Sequence, residues 1–379
     1  MEQFSSPPIE SPASKPPRPG GPVQGDSFVE HVVRNAWYVL GWTAEIGTGP
    51  FARRVLDEPV VAFRQRDGRL AALLDRCAHR LVPLSLGSVV DDTLQCGYHG
   101  LRYDDTGACV HVPGQANIPP AARVRSFPVT ERYGAAWIWM GDPEQADPGL
   151  IPAIERYGAP GWTVIWGVPQ HHRSHYLNIV ENLQDPAHTT YVHPGTIGNP
   201  ASSDIAPVIE ESEGHIVTYR WTLDAEPPPI DRKNANFSGL ADRCQYYHFF
   251  PPCTSRVDVV TMQAGQEHTE ANMDLGLRAF SYKFLTPETD TATHFFWLHV
   301  RNFGVGDQEL DQRLMRDMGR TFEEDNVIVS AMQREQDATG VRQLAWLRID
   351  AGPSRARRMI EKMAAADAAA AAPAASTAS

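Results

Sequence analysis

The sequence predicts an α+β protein of two domains, an all-β domain first and a mixed domain after it. Short runs of aromatic and β-branched residues, separated by turn dipeptides, fill residues 28–145. Beyond residue 146, strand-like runs alternate with helical patterns, of which the longest follows Asp307. Potential metal ligands cluster at two places, one in each predicted domain. The 379 residues suffice for two domains with separate cores.

Two terminal segments are predicted to lie outside these domains. Residues 1–27 are rich in Pro, Ser and Gly, a composition typical of a disordered arm. Residues 364–379 are almost entirely Ala with Ser and Thr, which predicts a frayed helical end and a disordered tail. The domains are therefore expected at residues 28–145 and 146–363, joined by a Pro- and Asp-rich linker that begins near Asp142.

Composition and charge exclude some classes of partner and cellular location. Hydrophobic content of 42% and aromatic content of 9% are ordinary for a globular protein. The net charge of −12 argues against nucleic acid or an anionic membrane as the main partner. The sequence contains no run of about eighteen apolar residues and no apolar secretory signal, so no membrane span is expected. Outside the motif described next, Cys109, Cys244 and Cys253 form no disulfide framework, which suits a reducing cytoplasm.

The first domain contains Cys77-x-His79, sixteen further residues, and then Cys96-x-x-His99. Two thiolates and two imidazoles are the ligands of a Rieske [2Fe–2S] centre, in which Cys holds one iron and His the other. Zinc also accepts two Cys and two His, but zinc fingers usually pair Cys with Cys and His with His. Here each short loop supplies one of each, which favours the iron–sulfur cluster. The motif therefore predicts one-electron redox chemistry.

The second group of potential ligands begins with two histidines. Asp185 followed by Pro186 predicts the N-cap and first residue of a short helix that carries His188 and ends after His193. Five residues turn about 140° around a helix, so the two imidazoles converge only if His193 lies where the helix ends. Taken alone, the pair could equally be ordinary core or surface histidines.

A carboxylate on the long helix completes this group. Asp325 falls on the apolar stripe of that helix, where an ionised carboxylate is costly unless it is paired or bound to a metal. Two His and one carboxylate form the facial triad of non-haem Fe(II) oxygenases. Glu323 and Glu324 are expected to be solvated, although Glu324 would replace Asp325 if the helical phase shifted by one residue. The stripe comprises Leu310, Leu314, Met318, Phe322, Val329 and Met332.

With both sites considered, the chain resembles the Rieske non-haem iron oxygenases. It is most similar to their aromatic O-/N-demethylase branch, which includes vanillate O-demethylase and dicamba monooxygenase. The resemblance implies a Rieske domain followed by a helix-grip catalytic domain, in which an antiparallel sheet wraps a long helix. The similarity is carried by the cluster loops and by residues 35–39, 182–193, 285–289, 301–304 and 324–325.

The resemblance also implies roles for single residues. Asp185 would bridge a metal-bound His to a cluster His of the neighbouring subunit, and Asn182 would lie close to the iron. Their alternatives are a plain helix N-cap and a structural Asn. Lys283 and Arg316 are interpreted as surface cations rather than substrate ligands. The implied ligands are Cys77, His79, Cys96 and His99 for the cluster, and His188, His193 and Asp325 for mononuclear Fe(II).

The implied activity is that of the oxygenase component of a multicomponent monooxygenase. It would O- or N-dealkylate a small aromatic compound, with anilide herbicides among the candidates, using O₂ and electrons from NAD(P)H. A separate reductase and ferredoxin would deliver these electrons, since no G-x-G-x-x-G follows a strand here. The implied assembly is a homotrimer in which one subunit's cluster serves the next subunit's iron. The alternatives are a ring-hydroxylating (di)oxygenase with the same metals, and a Rieske electron-transfer protein with a degenerate second domain.

Overall fold

The computed structural model describes most of the chain. The greater part of the predicted N-terminal arm, and the last eight residues of the predicted tail, lie outside the described residues. None of the described helices is both long enough and apolar enough to cross a membrane. The described residues are 23–24, 32–212, 214–234 and 238–371.

The described N-terminal part consists mainly of short antiparallel strands and turns, with a few single-turn 3₁₀ helices. The strands form three sheets, with strand orders β10-β5-β4-β3, β11-β12-β2 and β6-β7-β8-β9 once β1 is set aside. Tight turns join them, as at Gly68, whose φ of 89° is readily adopted by glycine. The strands are β1 (Val23–Gln24), β2 (Trp37–Trp42), β3 (Phe51–Val55), β4 (Glu58–Arg64), β5 (Leu70–Leu74), β6 (Ser88–Val90), β7 (Thr93–Gln95), β8 (Arg102–Tyr103), β9 (Cys109–His111), β10 (Ser126–Phe127), β11 (Val129–Arg132) and β12 (Ala135–Trp139).

The C-terminal part is one large antiparallel sheet covered by helices, which confirms the predicted fold class. The sheet has the order β13-β20-β19-β18-β17-β16-β15, with β14 paired to β20. Its strands are β13 (Thr163–Trp166), β14 (Gln170–His172), β15 (Val208–Ser212), β16 (His215–Ala225), β17 (Ala241–Phe250), β18 (Thr254–Gln263), β19 (Leu277–Thr289) and β20 (Ala292–Arg301), and β21 (Val341–Gln343) lies apart. The helices are α1 (Tyr176–Leu183), α2 (Thr189–Val192), α3 (Pro229–Asn234), α4 (Glu270–Leu275), α5 (Gln308–Thr339) and α6 (Ala351–Ala371).

The long helix α5 has well-defined ends. The Asp307 carboxylate accepts a hydrogen bond from Leu310 N (3.0 Å), and Gly340 ends the helix in the left-handed conformation with φ of 66°. The predicted apolar stripe is buried except for Met332, which is 37% exposed. Near the C-terminal end the buried face instead includes Gln333, whose Oε1 accepts a hydrogen bond from the backbone of α1's N-cap residue (2.7 Å).

The central strand β19 is covered on both faces, and this positions the two parts of the molecule. Alternate side chains of a strand point to opposite faces. Tyr282 and Phe284 join the tryptophans of the N-terminal part in one core, with ring centroids of Phe284 and Trp137 5.2 Å apart. Lys283, between them, faces α5. The N-terminal part therefore packs against one face of the sheet, while α5 covers the other.

The described parts of the predicted arm and tail form regular secondary structure. Residues 364–371 continue α6, which corrects the predicted start of the tail. Alanine has the highest helix propensity, and Ala364 is also buried. The Asp367 carboxylate accepts hydrogen bonds from Asn35 N (2.8 Å) and Asn35 Nδ2 (2.9 Å), which ties this helix to the N-terminal part. Within the predicted arm, β1 pairs with β21, so its residues 23–24 are likewise not disordered.

Candidate metal centres and active-site cavity

Two loops with the same backbone pattern carry the four predicted cluster ligands. Cys77 N donates a hydrogen bond to Val82 O (2.8 Å), and Cys96 N donates one to Leu101 O (2.8 Å). The carbonyl of each cysteine accepts a bond from the N–H four residues later, at 2.9 Å in the first loop and 3.1 Å in the second. Both loops thus form the same tight turn, which turns the Cys and the His of each loop toward one point.

The side chains of these loops divide into a buried pair and an exposed pair. Cys77 and Cys96 are buried, whereas His79 and His99 are exposed, with their Nδ1 atoms 3.2 Å apart. Burial raises the pKa of the Cys96 thiol, so a bound cation is needed to hold it as thiolate. Tyr103 OH lies 3.2 Å from Cys77 Sγ and can support that sulfur. The structure brings all four residues together in an arrangement that fits a Rieske cluster.

Glycines allow the second cluster loop to pack closely against the chain before it. A Cβ atom on Gly97 would lie 2.7 Å from Leu86 O, and one on Gly87 would lie 1.9 Å from Gln95 O. These approaches are to backbone atoms, which cannot move aside cheaply. Larger residues at either position would push the Cys96 loop away from the segment at Leu86 and Gly87.

The second predicted site forms where α2 meets α5. His188 and His193 flank α2, and Asp325 reaches them from α5, with Oδ1 3.4 Å from His188 Nε2 and 3.0 Å from His193 Nε2. The chain leaves helical geometry at His193 (φ −118°, ψ 46°), as the five-residue spacing requires. The predicted N-cap is different: α2 begins at Thr189, and Asp185 Oδ1 instead accepts a hydrogen bond from Ala187 N (2.7 Å) in a preceding turn.

One nitrogen of this trio lacks a partner in a way that fits a metal. His193 Nε2 is buried and, although Asp325 Oδ1 lies only 3.0 Å away, no well-formed hydrogen bond satisfies it. Buried polar atoms are rarely left unsatisfied. Two imidazole nitrogens and one carboxylate oxygen lie within 4.8 Å of one another. This is the donor set of non-haem iron sites with open coordination positions.

The electrostatics of the trio favour a bound cation. Burial opposes ionisation of Asp325, but the two imidazoles outweigh it and hold its pKa well below the usual range. Burial likewise opposes protonation of His193, whereas Asp325 and Glu324 favour it and raise its pKa. A proton on His193 thus takes the place that a metal ion would fill between these charges.

Residues around the trio fix the orientation of its imidazoles. His193 Nδ1 lies 2.9 Å from Glu324 Oε2, so the expectation that Glu324 is merely solvated is wrong. His188 Nδ1 donates a hydrogen bond to the backbone carbonyl of Asp185 (2.5 Å). The side-chain Oδ2 of Asp185 lies 4.0 Å from the same nitrogen. Asn182 Nδ2 donates to Asp325 Oδ1 (3.3 Å). Such partners commonly orient metal-bound His and carboxylate ligands.

A third group of similar composition serves as a contrast. His171, Glu288 and His294 also lie within 4.8 Å of one another. His171 is exposed and lies 2.5 Å from Glu288 Oε2, and Arg53 lines the same cleft. Only His171 of this group is exposed and the other two members are half-buried, whereas His193 and Asp325 of the trio are buried.

A largely apolar cavity adjoins the buried trio. Its free volume is about 100 Å³, of the same order as the roughly 150 Å³ of a cavity that binds benzene. The helix α5 forms one wall and the inner faces of β17 to β20 form the other. Apolar side chains from both walls and from α3 line it, including Leu314, Met318, Phe322, Val257, Val259 and Ile230.

One cavity residue was misjudged from the sequence. Lys283 is only 3% exposed and faces the cavity, so its interpretation as a surface cation is wrong. The sequence signal was its position between Tyr282 and Phe284 in a strand with both faces buried. Arg316, by contrast, is exposed on α5, as predicted.

Comparisons with known proteins agree with this geometry. The Rieske [2Fe–2S] domain family matches residues 36–128, and the vanillate O-demethylase oxygenase C-terminal domain family matches residues 172–366. The vanillate O-demethylase oxygenase subunit of a Pseudomonas species is 38% identical over 88% of this chain and 95% of its own length. The toluene-4-sulfonate monooxygenase system iron–sulfur subunit of Comamonas testosteroni is 35% identical over 87% and 96%. Dicamba monooxygenase bound to dicamba superposes with a TM-score of 0.81 and 34% identity, covering 89% of this chain and 99% of that chain.

The fold, the two centres and these matches define an iron-dependent oxygenase with a Rieske [2Fe–2S] cluster and a mononuclear non-haem iron, which uses O₂. The chain belongs to the Rieske non-haem iron oxygenases, in the branch of the vanillate O-demethylase oxygenase subunits. It spans almost the full length of these subunits, and its second domain contains the buried trio, a ligand set suited to iron. The alternative of an electron-transfer protein with a degenerate second domain therefore does not hold.

Proposed function

We propose that this oxygenase O- or N-dealkylates a small aromatic compound, with electrons from NAD(P)H supplied through a reductase and a ferredoxin. The observation that carries the proposal is the buried trio of His188, His193 and Asp325, which opens into an apolar cavity of aromatic size. The O-demethylase activity of the vanillate relative supports dealkylation over ring hydroxylation.

In this proposal each centre has its own ligands. Bound iron would activate O₂ beside the substrate, and the cluster would supply the electrons. Glu324 and the Asp185 carbonyl keep the imidazole rings in position, and Asn182 holds the Asp325 carboxylate. The cluster ligands are Cys77, His79, Cys96 and His99, and the iron ligands are His188, His193 and Asp325.

The cavity walls determine which bond is attacked. Leu314, Met318 and Val259 exclude water and hold the ring, so that an alkyl group on oxygen or nitrogen faces the trio. One oxygen atom enters a C–H bond of that group, and the other leaves as water with two electrons and two protons. The hemiacetal or hemiaminal then breaks its C–O or C–N bond, giving an aldehyde and a phenol or amine.

A surface near the cluster is suited to docking. His79 and His99 are exposed, and large apolar side chains stand exposed nearby, at Leu81, Leu86 and Tyr98. Contiguous exposed apolar side chains commonly mark protein interfaces. We call this group the cluster surface.

A second such surface lies near Asp185. Asp350 is close enough to Asp185 to raise its pKa, although burial has the larger effect, and Asp350 accepts a hydrogen bond from Leu347 N (2.6 Å). Leu344, Trp346 and Leu347 are exposed in that segment. We call it the Asp185 surface.

Two different surfaces on one chain can join head to tail and close into a ring. We infer a homotrimer in which the cluster surface of one subunit docks on the Asp185 surface of the next. Asp185 would then bridge its own His188 to His79 or His99 of the neighbour. All five cysteines are unpaired and buried, which fits a reducing cytoplasm as the site of this assembly.

The reaction is tested by supplying a surrogate reductase and ferredoxin and measuring O₂ uptake with O-methyl, N-alkyl and unsubstituted aromatics. We expect an aldehyde in amounts equal to the O₂ consumed, with Asp325→Ala inactive. A cis-diol formed without aldehyde would instead support the ring-hydroxylating alternative.

The bridge is tested with Asp185→Asn. We expect both metals to stay bound and the cluster to remain reducible, while turnover fails. The carboxylate variant Glu323→Gln, at an exposed position of α5, should keep turnover. Unimpaired coupled turnover in Asp185→Asn would exclude the bridging role.

A further inference from the structure

The cavity holds three long cationic side chains, and two of them are neutralised by the protein. Arg243 Nε lies 2.7 Å from Asp231 Oδ2, and Arg301 pairs with Asp311 at the start of α5. Both arginines therefore belong to local ion pairs that hold the cavity walls together. Lys283 is the third, and its surroundings differ.

Lys283 is buried without a carboxylate partner. Across the described ranges of the chain, no carboxylate oxygen lies within 4.0 Å of its Nζ, which instead donates a hydrogen bond to the carbonyl of Ser281 on its own strand (3.2 Å). A buried ammonium with so little compensation is costly. A residue such as Met would fill the same space without that cost, which indicates that the charge has a use.

The position of Lys283 points to the substrate. Its Nζ lies 5.5 Å from the ring centroid of Phe322, which precedes Asp325 by about one helical turn. Burial lowers the pKa of Lys283 to about 7, although the Asp325 charge acts in the opposite direction. Because Lys283, Phe322 and Asp325 line the same cavity, the side-chain nitrogen of Lys283 faces the space that an aromatic ligand would occupy.

Neighbouring polar groups extend this feature into a polar strip on an otherwise apolar wall. Ser281 Oγ lies 3.0 Å from His299 Nε2, on the adjacent strand. Burial lowers the pKa of His299 to about 3, with Lys283 and Arg301 contributing, so this imidazole is neutral. Ser281 and Lys283 are two residues apart on the same face of β19 and can both donate to one ligand group.

We propose that Lys283 is the specificity residue that binds an anionic oxygen group of the aromatic substrate, such as a carboxylate, sulfonate or phenolate. This inference rests on the proposed dealkylation but adds the substrate's charge. The ring would lie between Met318 on α5 and Val259 on β18, with the anion at Lys283 and Ser281. A substrate without an anion would leave the ammonium unpaired.

Binding to the holoenzyme tests this without turnover. Anaerobic titration calorimetry would compare 4-methoxybenzoate and 4-methoxybenzenesulfonate, both anions at neutral pH, with the neutral isostere 4-methoxybenzamide. We expect at least one anion to bind more tightly than the amide, and Lys283→Met to weaken that anion about 10- to 100-fold with little effect on the amide. Lys283→Arg should keep most of the preference, and Arg316→Met, which removes an exposed cation of α5, should change nothing.

The outcomes separate the two proposals. An anion preference that persists in Lys283→Met, or a wild-type enzyme that prefers the amide, would overturn the role of Lys283 even if aldehyde is formed. Loss of the preference in Lys283→Met, in protein that keeps its cluster absorbance, supports that role even if aldehyde is absent. In that last case the dealkylation proposal fails and the anion site remains.

Discussion

The cluster loops and the iron trio use the same imidazole chemistry in opposite surroundings. His79 and His99 stand exposed above two buried thiols, and among the described residues each has the other as its ring-nitrogen partner. His193 is buried, with one nitrogen held by Glu324 and the other directed toward Asp325. The difference teaches how the functions are divided. An electron donor needs an edge that another protein can touch, whereas O₂ chemistry needs a site from which water is excluded.

The local chain explains this difference. The cluster histidines lie on loops that follow short strands at the surface, so both rings are exposed. The trio lies between a short helix and the middle of α5, beneath the wall of the large sheet. Exposure of the first pair and burial of the second thus follow from the elements that carry them.

The largest effect is expected when a buried cluster ligand is removed. Cys96→Ser should abolish the visible absorbance of the cluster and all turnover, because a hydroxyl is a poor substitute for a thiolate on iron. Iron at the trio should remain, measured by metal analysis. Cys109→Ser, a buried thiol of the same core, should keep the cluster; equal losses in both variants would contradict the ligand assignment.

The next effect separates the two centres. His188→Ala should lose mononuclear iron and turnover, while the cluster keeps its absorbance and can still be reduced. His171→Ala removes the exposed histidine that pairs with Glu288, and this variant should lose neither metal nor activity. If iron is lost in His171→Ala but not in His188→Ala, the mononuclear iron is bound by His171, Glu288 and His294 instead of the trio.

A smaller effect tests the buried surroundings of His193. Glu324→Gln should weaken iron binding about 10- to 100-fold, because the carboxylate orients the imidazole and increases its basicity. Glu323→Gln, its exposed neighbour on α5, is the matched control. Equal iron affinity in the two variants, measured by competition with a chelator, would remove Glu324 from the site.

The smallest effect is expected for a substitution on the cluster surface, beside the exposed cluster histidines. Leu81→Ser should raise the dissociation constant of the proposed trimer a fewfold, because it removes one apolar contact from the cluster surface. Analytical ultracentrifugation over a dilution series measures this change. Val208→Ser, an exposed apolar residue on the edge strand β15, should leave the assembly unchanged.

The sequence predicted the parts of both centres that depend on ligand type and spacing. The cluster loops follow from four residues, and Asp325 follows from one charge on an apolar stripe. Glu324 could not be assigned in this way, because its partner His193 is far away in sequence and meets it only after α2 and α5 have packed together. Helical phase alone places Glu324 beside the stripe, which is equally compatible with solvent.

Lys283 shows a second limit. Alternation along β19 places it opposite Tyr282 and Phe284, but a lysine on the face away from an aromatic core is normally solvated. It is buried here because α5 covers the second face of the sheet, and this packing is tertiary. For the same reason the size and lining of the cavity, and with them the substrate, do not follow from local patterns.

The central claim is that electrons leave an exposed cluster in one subunit and reach a buried iron in the next. Co-assembly of Cys96→Ser subunits, which lack only the cluster, with His188→Ala subunits, which lack only the iron, tests it directly. Each mixed trimer would contain one junction with an intact donor and an intact acceptor, so equal mixing should restore about a quarter of wild-type turnover. Turnover that stays at background in verified mixed trimers would contradict transfer between subunits.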